Sequence, residues 1–174
     1  MIPMGKIYFT ADFHLGHKNI IKYCKRPFKS LKEMDDTIIS NVNKIVTKDD
    51  LIYHIGDFAF RGKSAREYEK LIKSPIVHIL GNHDYNNGVK SKIISAIMEF
   101  GGKIIFAQHH PPRNINEIPI GCDFVICGHV HEKWKYQIID GIPIINVGVD
   151  VWEFKPISTY FLIRFYHKIL KGYV

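Results

Sequence analysis

The chain has 174 residues, of which 46% are hydrophobic, and a formal net charge of +7. This length suits one well-buried core and is short for two, so we expect a single domain over residues 1–174. The chain contains no apolar run of the roughly eighteen residues needed to span a bilayer. Its first residues lack the apolar stretch and cleavage site of a signal peptide. We therefore expect a cytoplasmic protein that does not associate with membranes.

Cysteine content and charge further limit the kind of protein that this sequence can encode. The three cysteines form no C-x-x-C pair, which predicts reduced thiols rather than a disulfide framework. The positive charge favours anionic partners such as phosphoesters, nucleotides or nucleic acid. Alternatively, it is only a basic solvated surface, because the lysines and arginines are scattered along the chain. We find no segment typical of a dedicated DNA-binding domain.

The first two thirds of the chain alternate between strand and helix patterns. A first strand, "KIYFTAD", is followed by a short helical stretch, "HKNIIKYC", that stops before Pro27. Residues 30–46 carry apolar side chains at helical spacing, and Ser30 and Glu33 are placed as a capping box. The following segments read in turn as strand "DLIYHIGD", helix "SAREYEKLI", strand "PIVHILGN", helix "VKSKIISAIMEF" and strand "KIIFAQHH". This alternation predicts βαβ units and a largely parallel sheet.

The last third has a different pattern. After "GCDFVICGHVH", three apolar segments follow one another closely: "WKYQIID", "IPIINVGV" and "ISTYFLIRFY". Short turns between them favour an antiparallel, meander-like second sheet, in which "YFLIRFY" is a packed strand. In open α/β sheets ligands bind at the carboxyl ends of strands, so functional residues are expected there.

Every predicted strand end carries a side chain that can bind metal or transfer protons. The blocks are "ADFH", "GD", "GNHD", "QHH" and "GHVH". A single Asp or Asn at such a position is more often a turn residue, but strand termination does not require repeated histidines. Asp12 and His14 are two residues apart and point to the same side if strand geometry persists. His129 and His131 repeat this spacing, unless a loop divides them between two ions.

Seven side chains are candidate metal ligands: Asp12, His14, Asp57, Asn82, His109, His129 and His131. Imidazole, carboxylate and amide donors without thiolates suit Mn²⁺, Fe, Co²⁺, Ni²⁺ or Zn²⁺. The set is too large for one ion and fits two that share a carboxylate. Two ions about 3.5–4 Å apart clamp a phosphoester and activate a bridging hydroxide for attack. In this arrangement His83 assists the leaving group, and Asp84 orients His83 through its ring N–H.

The five blocks, in this order, resemble the calcineurin-like metallophosphoesterase superfamily, whose pattern is D-x-H, G-D, G-N-H-[DE], H and G-H-x-H. The flanking phrases "GHKNIIKYCKRPF", "GHVHEKW" and "NVGVDVWEFKPIS" are similar to a subgroup of small microbial and phage phosphoesterases. The resemblance covers most of the chain. It implies an α/β fold, a two-sheet sandwich flanked by helices in four α/β/β/α layers.

The resemblance also implies roles for individual residues. The first ion is then held by Asp12, His14 and His131, the second by Asn82, His109 and His129, and Asp57 bridges them. His83 acts as proton donor or transition-state stabiliser, with Asp84 as its partner. In "QHHPP" two histidines compete for one ligand position, and the family pattern H-x-P favours His109 over His110.

Several other residues have two interpretations. His17 contacts a substrate phosphate or only caps a short helix. Arg61 is a phosphate clamp, because guanidinium matches phosphate oxygens, or a solvated loop side chain. Four side chains in apolar segments are interpreted as core rather than as ligands or base-stacking platforms: His54, His78, Trp134 and Trp152.

These observations favour a di-metal phosphoesterase acting on a phosphodiester or phosphomonoester. A diester is favoured because so short a chain has no room for a large specificity cap. A nuclease is an alternative within the enzyme class. The alternative outside it is a non-catalytic interaction module, since a retromer subunit of this fold serves as an interaction platform. Such a module is expected to have lost some metal ligands and, above all, His83. In this chain His83 and all seven candidate ligands are present.

Overall fold

The computed structural model describes residues 5–60 and 63–174, which form two β-sheets and their flanking helices. The first sheet contains four strands in the order β3-β2-β1-β9. Strands β1 (Ile7–Thr10), β2 (Leu51–Ile55) and β3 (Ile76–Ile79) are parallel. The short β9 (Ile157–Ser158) pairs antiparallel with β1. The predicted parallel arrangement of the first three strands is therefore confirmed, and their carboxyl ends lie at one edge.

The second sheet contains five strands in the order β4-β5-β6-β8-β7. These are β4 (Ser95–Phe100), β5 (Lys103–Gln108), β6 (Phe124–Cys127), β7 (Tyr136–Ile139) and β8 (Ile142–Asn146). The central strands β5, β6 and β8 are parallel, and only the edge pairs are antiparallel. The expected meander is therefore wrong, because β7 folds back on β8 at the edge and β8 pairs directly with β6.

The helix predicted over residues 30–46 is confirmed as α2 (Leu31–Ile45), which follows the short α1 (Ile20–Tyr23). The Ser30 side chain accepts the backbone N–H of Glu33 at 3.1 Å. The Glu33 carboxylate accepts the N–H of Lys29, one residue before the expected partner. A third helix, α3 (Ala65–Glu69), follows β2 as predicted and is much shorter than α2.

Two segments have the opposite secondary structure to the prediction. The sequence predicts a helix over "VKSKIISAIMEF", but the second half of this segment is β4, in which inward and outward side chains alternate. Conversely, "YFLIRFY" lies in α4 (Thr159–Leu170) and not in a strand. Helix α4 buries Leu162, Phe165, Tyr166 and Ile169, which have the i, i+3, i+4, i+7 spacing of one helix face. The Ser158 side chain accepts the Phe161 N–H and begins the helix.

The core is divided among three apolar clusters. Helices α1, α2 and α3 cover one face of the first sheet, with Met34 and Ile38 fully buried there. The two sheets pack against each other, and α4 joins the cluster between them. A loop that contributes Ile118 and Cys122 covers the outer face of the second sheet. The predicted α/β two-sheet sandwich with flanking helices is confirmed. Among the described residues, none of the helices has the length and apolar character to cross a bilayer.

Candidate metal centre

Six of the seven predicted ligand residues, all except Asn82, follow strands of both sheets and converge at one end of the sandwich. The reactive atoms of Asp12, His14 and His131 all lie within 4.8 Å of one another. The same is true of Asp12, Asp57 and His109. Residues from the loops after β1, β2, β5 and β6 therefore meet, although up to 119 positions separate them in the chain.

Asp57 lies between the two groups of imidazoles. Its Oδ2 is 3.4 Å from Nε2 of His14 and 3.3 Å from Nε2 of His109. Atoms of His109, His110 and His129 form a further group within 4.8 Å. Since His131 belongs with Asp12 and His14 while His129 lies beside His109, the loop divides the two histidines between neighbouring groups. This was one of the two arrangements that the spacing left open.

Left-handed backbone conformations are concentrated in the ligand loops. Five candidate ligands have φ between 51° and 70°: Asp12, His14, Asp57, His129 and His131. Such conformations are uncommon for residues other than glycine and cost on the order of 1 kcal/mol each. Strand β1 ends at Thr10, so the argument that strand geometry aligns Asp12 with His14 is wrong. The curled loop brings them together instead.

Glycines allow the ligand side chains to pass close to neighbouring loops. A Cβ atom on Gly56, which has φ +85°, would lie 2.3 Å from Nδ1 of His109. A Cβ on Gly81 would lie 2.2 Å from Oδ1 of Asp57. Both positions are therefore restricted to glycine by the ligands packed against them.

Several buried imidazole nitrogens have no hydrogen-bond partner within the described part of the chain. Among the candidate ligands they are Nδ1 and Nε2 of His14 and Nε2 of His109, and the core histidines His54 and His78 contribute others. His109 presents its Nδ1 to the carbonyl oxygen of Ile55 at 2.9 Å, which turns Nε2 towards Asp57. Because buried polar atoms are normally satisfied, the free nitrogens and adjacent carboxylates fit a bound divalent cation.

Electrostatic coupling within the cluster is strong. Burial raises the pKa of the Asp57 carboxyl, but His109 and His14 outweigh this effect and hold it well below its usual range. Burial lowers the pKa of His109, but Asp57 and Asp12 outweigh it and raise that pKa to about 9. Burial and the adjacent His110 and His109 lower the pKa of His129 to about 4. The cluster thus pairs buried anions with protons that a cation could replace.

A family model described as the calcineurin-like phosphoesterase superfamily domain matches residues 6–166. The chain belongs to this superfamily. An uncharacterized protein of Methanocaldococcus jannaschii is 36% identical to it over 173 residues, which cover 96% of this chain and 94% of the relative. A protein of unknown function from Aquifex aeolicus has a similar structure, with a TM-score of 0.73 and 26% identity over 92% of this chain and 99% of that one. Vps29 of Chaetomium thermophilum, 10% identical with a TM-score of 0.50, covers 82% of this chain and 70% of its own, and this likeness shows the fold alone.

His83 lies beside the cluster of candidate ligands. It is half-buried, and its ring centroid is 5.3 Å from that of His14 and 5.0 Å from that of Phe60. Its backbone N–H donates to Oδ1 of Asp57 at 2.9 Å. The main chain of His83 is therefore anchored to the predicted bridging carboxylate, while its imidazole is next to the ligand cluster.

Asp84 has a different partner from the one expected. Its Oδ2 accepts the backbone N–H groups of Gly81 and Asp57, both at 2.8 Å, and its Oδ1 accepts that of Phe58 at 2.9 Å. Both oxygens of this buried carboxylate thus accept hydrogen bonds from main-chain N–H groups. The prediction that Asp84 orients the His83 ring is corrected: Asp84 ties the loop after β3 to the loop after β2.

The remaining predicted residues differ in their surroundings. Asn82 is exposed and lines a cavity together with His83. The ring of His17 is 4.2 Å from that of Phe60 and 5.4 Å from that of His14. The N-cap position of the short helix α1 is Asn19 and not His17. The contact of His17 with a substrate phosphate stays a prediction. Arg61 lies outside the described residues.

The four side chains interpreted as core are all packed in the interior or partly covered. His54 is fully buried, and His78 is buried with Nε2 2.9 Å from Glu69. Trp134 and Trp152 pack against the apolar clusters of the second sheet and of the inter-sheet core. None of the four belongs to the groups of ligand atoms found among the described residues.

Sequence reasoning missed Arg26 and Asp150, which lie beside the ligand cluster. Both are buried or nearly so, and Asp150 Oδ2 is 3.1 Å from Nδ1 of His131. Both stand within the phrases "GHKNIIKYCKRPF" and "NVGVDVWEFKPIS" that resemble the phosphoesterase subgroup. The phrases marked the region without assigning a role to either residue.

Proposed function

We propose that this protein is a di-metal-dependent phosphoester hydrolase. The observation that carries the proposal is the position of Asp57, whose Oδ2 lies 3.4 Å from His14 and 3.3 Å from His109. A carboxylate between two groups of imidazoles fits a ligand shared by two divalent cations. The mixed nitrogen and oxygen donors favour Mn, Fe, Co, Ni or Zn.

The first cation would be held by Asp12, His14 and His131 and the second by Asn82, His109 and His129, with Asp57 shared between them. When bound, two such ions activate water and stabilise the attacking and leaving oxygens of a phosphoester. His109 rather than His110 is proposed as the ligand, because it is buried beside Asp57 whereas His110 is exposed.

His83 is proposed to donate a proton to the leaving oxygen. Its main chain is fixed by the bond to Asp57, so its imidazole is presented at a constant place beside the ligand cluster. General acid catalysis by a positioned imidazole contributes about 10²–10⁴-fold to a rate. Asp84 supports this position indirectly, by holding the loop from which His83 projects.

A phosphodiester is proposed as the preferred substrate, because open cavities lie on both sides of His83 and Phe60. One of about 620 Å³ includes Lys63, and the other, of about 580 Å³, includes His17 and Tyr23. Each volume lies within the range of about 300–1,000 Å³ typical of small-molecule sites. A phosphate at the cluster could therefore carry a substituent in each cavity, whereas a monoester fills only one.

Metal-stripped protein, reconstituted with Mn²⁺, Ni²⁺, Co²⁺, Zn²⁺ or Fe²⁺, provides the test. We expect hydrolysis of bis-p-nitrophenyl phosphate with a higher kcat/KM than p-nitrophenyl phosphate, and no turnover without metal. Full activity after chelation, or no hydrolysis of either ester with any of these ions, would overturn the proposal. Failure to bind these ions at micromolar concentration would favour the interaction-module alternative.

The His83→Ala variant tests the proton donor separately. We expect kcat to fall by about 10²–10⁴-fold, while calorimetric metal binding stays unchanged. The matched control is His167→Ala, since His167 is exposed on α4 far along the chain from every candidate ligand. Equal kcat values for the two variants would exclude the assigned role of His83.

A further inference from the structure

Arg26 is a buried cation next to the first group of candidate ligands. It follows α1, and its side chain is 0% exposed, while that of its partner Asp150 is 2% exposed. Nε and Nη2 of Arg26 donate to the two carboxylate oxygens of Asp150 at 2.8 Å and 2.9 Å. This is the two-pronged geometry in which guanidinium and carboxylate bind most specifically.

The remaining Arg26 donors reach the loop after β1. Nη2 donates to the carbonyl oxygen of Asp12 at 2.7 Å and Nη1 to that of Phe13 at 2.9 Å. Those carbonyls belong to the turn in which Asp12 and His14 have φ of 59° and 51°. Arg26 therefore holds the main chain in the uncommon conformation that brings these two candidate ligands together.

Asp150 extends the same network to the second sheet. Its Oδ2 is 3.1 Å from Nδ1 of His131, which leaves Nε2 as the ring nitrogen available to a cation. The backbone carbonyl of His131 accepts the side-chain amide of Asn146 at 2.8 Å, which fixes the main chain of this loop as well. Through Arg26 and Asp150, ligand loops from the two sheets are thus connected by side chains that contact no other candidate ligand side chain.

Stability alone does not account for a buried ion pair at this place. Removing two charges from water is costly, and apolar residues of similar volume are often as stabilising as the pair. What apolar residues could not supply is a set of directed hydrogen bonds to the ligand loop after β1 and to the imidazole of His131. Partners of this kind that orient metal ligands typically change metal affinity by about 10–100-fold.

We propose that Arg26 and Asp150 are positioning residues that orient Asp12, His14 and His131 around one of the two cations and leave the other cation unaffected. The inference rests on the proposed function, because it requires that these ligands hold an ion. Its distinctive consequence is asymmetry, since the pair contacts neither Asn82, His109 nor His129.

Calorimetric titration of the metal-stripped, full-length protein with Mn²⁺ tests the asymmetry. In Arg26→Met and Asp150→Asn we expect one of two Mn²⁺ equivalents to bind about 10–100-fold more weakly, with the other within about threefold of the unaltered protein. Arg26→Lys, which keeps the charge but loses the two-pronged contact, should show the same selective loss to a smaller extent. Far-ultraviolet circular dichroism verifies that each variant is folded. If Arg26→Met does not fold, Arg26→Lys serves as the test.

The matched control is Asp123→Asn, which breaks the Lys103–Asp123 ion pair of 2.8 Å at the opposite end of β5 and β6. It should bind both equivalents normally. The positioning role is refuted if folded Arg26 and Asp150 variants bind both equivalents like the unaltered protein, or lose both equally. If the unaltered protein itself binds no cation, the proposed function fails. That result is distinguishable from failure of the positioning role, in which the unaltered protein still binds two equivalents.

Discussion

Gly56→Ala is expected to destabilise the protein far more than a glycine-to-alanine change at a position where the added Cβ meets no neighbouring atom. Gly56 has φ +85°, and an added Cβ would lie 2.3 Å from Nδ1 of His109 and 2.7 Å from Cα of Gly81. The left-handed backbone costs an alanine about 1–2 kcal/mol, and overpacking costs about 1–3 kcal/mol. Displacing the His109 ring also breaks its hydrogen bond to Ile55, worth about 1 kcal/mol. The sum is a loss of about 3–6 kcal/mol.

Gly141→Ala isolates the backbone contribution. Gly141 has φ +83°, almost the same as Gly56, but an added Cβ meets no atom within 4 Å. We expect this control to lose only about 1–2 kcal/mol. The free energy of unfolding is measured for both variants by urea titration of metal-free protein, followed by circular dichroism. If the two variants differ by less than about 0.5 kcal/mol, a value typical of neutral surface changes, the close packing of His109 against Gly56 is refuted. Mn²⁺ titration of Gly56→Ala should also show one weakened equivalent.

Three further predictions concern individual side chains. Asp84→Ala removes the acceptor of three buried backbone N–H groups, so urea titration should show a loss of about 2–4 kcal/mol, whereas Asp49→Ala, at an exposed site, should show almost none. His109→Ala should abolish one Mn²⁺ equivalent in calorimetry, while His110→Ala keeps both; the reverse result would exchange their roles. Burial raises the pKa of Asp50, but N–H groups of neighbouring residues outweigh this effect and lower the pKa in the folded protein. The ionised Asp50 carboxylate therefore stabilises the folded protein at pH values above its pKa in the unfolded chain. This stabilisation is lost as the pH falls through the pKa of the folded protein. Unfolding between pH 5 and pH 2 should therefore be less pH-dependent in Asp50→Asn than in Asp49→Asn, and equal slopes would contradict this.

Local patterns predicted much of the architecture. Apolar spacing and Ser30 predict helix α2, because both signals depend only on residues within a few turns of one another. The convergence of the polar blocks was also predictable, since the carboxyl ends of parallel strands lie at the same edge. The predictions that were wrong concern two apolar segments. The second half of "VKSKIISAIMEF" forms a strand because β5 is available as a partner. The apolar residues of α4 have helical spacing, although the segment "YFLIRFY" is predicted to be a strand.

By itself, the sequence determined which side chains are available for chemistry, because imidazoles and carboxylates at strand ends are a property of composition and order. Only the tertiary structure decided how they are held. Asp84 binds main-chain groups that are up to 27 residues away, and Arg26 and Asp150 are separated by 124 positions. Such contacts leave no periodic signal in the chain, because their formation depends on how two sheets and their loops pack. The same packing imposes left-handed backbone on Asp12 and His14, which strand periodicity could not predict.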